Sequence, residues 1–73
     1  MLIYRNRTRH AAIVTIKIES TDKPEAALKV GSEEFFEEMD GKPGIDDLLV
    51  SPGKELHTNN NTVATLLAVR NAP

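Results

Sequence analysis

Five carboxylates crowd one short stretch of this chain: Glu33, Glu34, Glu37, Glu38 and Asp40. On a helix, Glu33/Glu37 and Glu34/Glu38 would each lie one turn apart, close enough to approach a hard divalent cation. That face would be convex, and the sequence offers no Asp-rich loop or opposing ligand to enclose an ion. The expectation is therefore no metal and no cofactor. Like charges at this spacing repel, so the concentration brings no folding benefit. Recognition of a basic surface would explain it.

A second cluster has the opposite sign. Arg5, Arg7 and Arg9, with His10 beside them, are suited to contacting phosphates. Only Tyr4 lies nearby for base stacking, and no nucleic-acid motif follows. The remaining reactive types form no constellation. His10 and His57 are the only imidazoles, and the serines and threonines lack a nucleophile elbow or a paired base. Gly53-Lys54-Glu55 lacks the hydroxyl and upstream glycine of a phosphate-binding loop, and residues 40–46 lack the alternating acids of an EF-hand. A chain of 73 residues also has little room both to build a core and to enclose a pocket. Catalysis is not expected.

These clusters sort the charge along the chain. Residues 1–18 carry +4, residues 19–47 carry −7 and the remainder +1, for a net charge of −2. Such asymmetry bears on partners and association and not on fold. The chain has no cysteine and no apolar run long enough for a signal peptide or membrane span, which points to a soluble cytoplasmic protein with no membrane partner. Asn6-Arg7-Thr8 and Asn60-Asn61-Thr62 match the N-glycosylation pattern, which such a protein would not use.

The elements that must position these groups read as a small α+β fold in a single domain, residues 1–73. Residues 11–19 form the clearest strand, with Ala12, Val14, Ile16 and Ile18 on one face. Leu2 to Tyr4 would pair with it as a shorter strand and leave the arginines at an exposed hairpin tip. Asp22 and Glu25 read as a capping box with Pro24 in the first turn, so a helix is expected from about Lys23. On a helical projection Phe35, Phe36 and Met39 oppose the acids, yet Val30 falls inside the acidic arc. The register must change between them, with Gly31 as a C-cap and Ser32 as a new N-cap. The result is one kinked helix or two short ones, ending at Gly41. A β-meander follows: strands near 47–50 and 55–58 joined by a type II turn at Ser51-Pro52-Gly53-Lys54, then a turn at Asn59-Asn60-Asn61. Residues 62–70 fit both helical and strand spacing, with β-branched residues favouring a strand.

Ile16, Val14, Ile18 and Phe35 are the expected core, with Phe36 at its margin. The preferred function is protein binding without catalysis: an inhibitor or modulator of phage or mobile-element type whose acidic helix docks on a basic surface. Glu33, Glu34, Phe36, Glu37, Glu38 and Asp40 would make the contact, and RNA polymerase or a nuclease is the kind of enzyme that carries such a surface. The alternative is a nucleic-acid-binding module using Arg5, Arg7 and Arg9. A homodimeric or antitoxin-like scaffold ranks third.

Overall fold

Alternation of Ala12, Val14, Ile16 and Ile18 with Thr15, Lys17 and Glu19 suits a strand with one buried face, and that strand is the centre of the fold. In the computed structural model, which describes residues 1–21, 26–32, 35–58 and 62–73, it forms β2, Ala12–Thr21. The other strands are β1 (Ile3–Arg5), β3 (Ala26–Ser32), β4 (Phe35–Gly41), β5 (Gly44–Val50), β6 (Glu55–Thr58) and β7 (Thr62–Asn71). They make two antiparallel sheets, ordered β1-β6-β3-β4 and β5-β2-β7. Every connection except β3 to β4 carries the chain from one sheet to the other.

The α+β expectation is thereby corrected, because the described residues contain only strands and no helix. Residues expected as a kinked helix are instead the hairpin partners β3 and β4, with Leu28 opposite Met39, Val30 opposite Glu37 and Gly31 opposite Phe36. Gly31 is not a left-handed cap; the positive-φ glycines are Gly44 and Gly53. A Cβ at Gly31 would stand 1.8 Å from the carbonyl oxygen of Phe35, so close backbone approach is what requires glycine there. The capping box of Asp22, Pro24 and Glu25 and the asparagine turn at 59–61 lie outside the described residues.

The strands expected near 47–50 and 55–58 form as β5 and β6, but they lie in different sheets and do not pair, so the expected β-meander is corrected. The turn between them and the last strand match their reading. Gly53 has φ +76°, and the Lys54 N–H donates to the Ser51 carbonyl at 3.1 Å, as a type II turn requires. Strand spacing prevails in β7. The N-terminal strand exists but pairs differently. β1 lies against β6, with Tyr4 opposite Leu56, so the arginines do not cap a β1–β2 hairpin.

The core forms where the sheets face each other. Val14, Ile16 and Ile18 of β2 and Val50 of β5 meet Leu28 of β3 and Leu56 of β6, with Leu2, Tyr4, Val30, Leu48 and Ala64 packed around them. Each fully buried aliphatic side chain contributes about 1.5–3 kcal/mol. Phe35 is not among them, being 77 % exposed. It shares a face with Leu28 and Val30 but lies opposite Ser32 at the far end of β3, where burial along that face has faded. Placing Phe35 in the core is thus corrected by register.

Ile16→Ala should cost about 2–5 kcal/mol by emptying a closed site. Phe35→Ala should change stability by no more than about 0.5 kcal/mol, as at an ordinary surface position. Thermal melts of the two variants check the pair; equal losses would put Phe35 back in the core.

Candidate functional site

Strand β4 is a sheet edge: among the described residues it pairs with β3 alone. Side chains alternate across a strand, so Phe35, Glu37 and Met39 lie on the face that bears Leu28 and Val30, while Phe36 and Glu38 lie on the other with Lys29. The convex five-acid face of a helix is therefore replaced. Glu37 and Glu38 are both exposed but point to opposite sides. Glu33 and Glu34 lie outside the described residues, and Asp40 is placed only by its register opposite Ala27.

What the edge presents is an apolar anchor flanked by acids. Phe35 is 77 % and Met39 37 % exposed, with Glu37 between them on the same face. Beyond Met39 that face opens into a cleft of about 340 Å³ lined by Leu28, Met39, Gly41, Lys42, Asp46, Asp47 and Leu48. The two-residue link Lys42-Pro43 joins β4 to β5, and the cleft takes Leu28, Met39 and Gly41 from one sheet and Asp46, Asp47 and Leu48 from the other. Sequence reasoning missed Asp46 and Asp47 because they come from a different strand. Thr15 donates its hydroxyl to Asp47, and Arg70 pairs with the same carboxylate at 3.3 Å. The Thr15 hydrogen bond, and next that of Arg70, hold the Asp47 carboxyl below its ordinary value of 3.8.

The outer face of the four-stranded sheet carries a separate network. Glu55 is 6 % exposed and takes both Arg5, through Nε and Nη2, and His57, whose Nε2 lies 2.9 Å from Oε2. Burial of a carboxylate is tolerated when it is paired in this way. The His57 hydrogen bond, followed by that of Arg5, lowers the Glu55 pKa below 4.5. The half-buried Phe36 ring leans on His57, with centroids 4.7 Å apart at 49°. Phe36 is thus engaged within the sheet, and Phe35 is the more exposed of the two aromatics. Arg5 ties β1 to β6 and is separated in role from Arg7 and Arg9. Glu55 and His57 have the arrangement of an orienting acid and a base, but among the described residues no hydroxyl bonds to His57, and no three His, Asp or Glu side chains gather as a metal site.

Arg7 and Arg9 stand exposed on the loop between β1 and β2, which is organised by one buried side chain. Asn6 is fully buried and uses every polar atom of its amide. Its Nδ2 donates to the His10 and Val50 carbonyls, both at 2.9 Å, while Oδ1 accepts from the Thr8 N–H and hydroxyl. Its backbone exchanges hydrogen bonds with Gly53 and Lys54, which holds the 51–54 turn against this loop. Lys54 thereby joins the loop of Arg7 and Arg9. The signal for Asn6 was its spacing from Thr8, the pattern of an Asx turn.

The chain matches no family model, and the comparisons found no matching curated protein or solved structure. Among the described residues no helix is long and apolar enough to cross a membrane.

Because the folded Glu55 pKa lies below its unfolded value, its contribution to stability is complete above 4.5 and is lost as pH falls through the lowered value. Glu55→Gln should therefore melt below the unmodified protein at neutral pH, with a gap that closes on acidification. Melts across pH measure it, and a gap that stays constant would contradict the pairing. Asp47 titrates in both proteins and cancels.

Proposed function

We propose that this protein is a non-catalytic binding module that docks through the β4 edge and the adjoining cleft on a protein surface carrying basic and apolar groups. The observation that supports this reading is Phe35, 77 % exposed on an open sheet edge beside Glu37 and Glu38. A free edge offers unpaired N–H and C=O groups to an added strand, and side chains on alternate positions supply specificity. Phe35 acts as the aromatic anchor, since such residues carry a large share of interface energy when a pocket covers them. Glu37, Glu38 and Asp46 steer a basic partner and raise its association rate.

Basic surfaces of this kind are common on enzymes that handle nucleic acid, such as RNA polymerase and nucleases. An inhibitor or modulator of such an enzyme, of phage or mobile-element type, fits the size and charge. A second reading has its own support. The Asn6 hydrogen bonds set Lys54 beside the loop of Arg7 and Arg9, a basic platform for a nucleic-acid backbone.

The test begins with affinity capture from cells that make the protein, followed by binding kinetics at low and high salt. Phe35→Ala should leave the fold intact and raise the dissociation rate by about tenfold or more. The double variant Glu37→Gln/Glu38→Gln should slow association and flatten its salt dependence. Unchanged kinetics in both variants would remove the β4 edge from the interface. Tight retention of random nucleic acid at physiological salt, lost on changing Arg7 and Arg9 to alanine, would favour the second reading.

A further inference from the structure

The opposite sheet has an edge of another character. Strand β7 pairs only with β2 among the described residues, and from Val63 to Val69 it carries no charge. Four large apolar side chains along it are exposed: Val63 53 %, Leu66 40 %, Leu67 49 % and Val69 44 %. Edge strands are usually blunted by charges, by proline or by brevity. β7 has ten residues, no proline, and its one charge at Arg70, close to the end. Its pairing with β2 is irregular at two points: a one-residue bulge at Leu67, where the register shifts between Thr15 and Ile16, and a second shift between Ile18 and Ser20, opposite Ala64 and Val63.

We propose that the β7 edge is the dimer interface of this protein, pairing antiparallel with β7 of a second copy to join the two three-stranded sheets into one of six strands. Charge admits that occupant on β7 and opposes it on β4. In an antiparallel pair of identical strands, any register centred between Leu66 and Leu67 sets Arg70 opposite an uncharged residue of β7, Thr62 to Ala64; registers centred nearer Ala64 carry it past the start of the partner strand, and none of them opposes two arginines. On β4, by contrast, every register centred between Glu37 and Met39 sets one acid directly against another, a destabilising arrangement. β7 is thus compatible with itself, whereas β4 repels its own copy and suits a basic partner. The pairing is isologous, so it closes at two copies and leaves both β4 edges outward. It also covers Leu66 and Val69, which their own molecule leaves partly open. The inference stands on β7 alone and does not depend on the function proposed for β4.

Light scattering coupled to size exclusion, run over a wide range of concentrations, tests it. The expected mass is twice that of the 73-residue chain, falling to the single-chain value on dilution. Val63→Lys and Leu67→Lys alter exposed positions, and each should give a folded monomer by circular dichroism. Hydrogen exchange on the unmodified protein needs no variant: β7 amides should gain protection as concentration rises, while β4 amides should not. A monomer at all concentrations, a dimer that survives both substitutions, or concentration-dependent protection confined to other strands would each overturn the proposal.

Discussion

The apolar face of β2 is the surface on which both sheets depend. Val14, Ile16 and Ile18 are the middle of a core whose other buried members come one each from β3, β5 and β6. Since all but one of the connections cross between sheets, no strand pair apart from β3 and β4 is tied together by a short local link. Packing against β2 makes the distant pairings worthwhile. A chain of this length buries only about 60 % of its unfolded surface, so the core covers the middle of each sheet and fades toward the edges. Leu28 is buried on the same face where Phe35 is open to solvent.

Four strand edges follow from that limit, and each is treated differently. β1 is three residues long and anchored by the Arg5–Glu55 pair. β5 places Asp46 opposite Ile16, a half-buried acid on the inward side of an edge strand, which discourages pairing with another chain. β4 couples Phe35 and Met39 to acids, while β7 is uncharged over seven residues, all but Thr65 apolar. Charges that guard an edge against indiscriminate pairing also select a partner of opposite sign, so on β4 protection and recognition draw on the same residues. β7 lacks charge, proline and brevity and keeps only the bulges of its pairing with β2, and it is the edge that the proposed second copy would close.

Legibility of the sequence followed how much each segment depended on its own pattern. β2 was readable because its alternation is unbroken and its buried face is a property of the strand itself. The type II turn was readable because Pro52 and Gly53 constrain their own backbone. Residues 26–41 misled because Phe35, Phe36 and Met39 fit a helical arc, while the strand pattern Phe35–Glu37–Met39 is interrupted by a second phenylalanine on the other face. Val30, stranded in the acidic arc of the helical projection, was the sign of a wrong period. In the structure it lies opposite Glu37 and beside the core. Pairing was not legible at all, since nothing local tells β1 to seek β6 rather than β2. Of the site, Glu37 and Glu38 were found from composition. Asp46, Asp47 and the exposure of Phe35 depend on how the two sheets meet, and Asn6 on contacts with Val50 and Lys54 far along the chain.

The proposed interface requires β4 to be an exposed edge strand that presents Phe35 to solvent. Solution NMR on the unmodified protein, with a soluble paramagnetic relaxation agent, tests this directly. Cross-strand contacts should follow the register of Leu28 with Met39 and Val30 with Glu37, and the Phe35 ring should relax strongly while Ile16 is spared. Contacts between residues three apart across 35–41, as in a helix, together with a Phe35 ring as protected as Ile16, would rule out an exposed β4 edge.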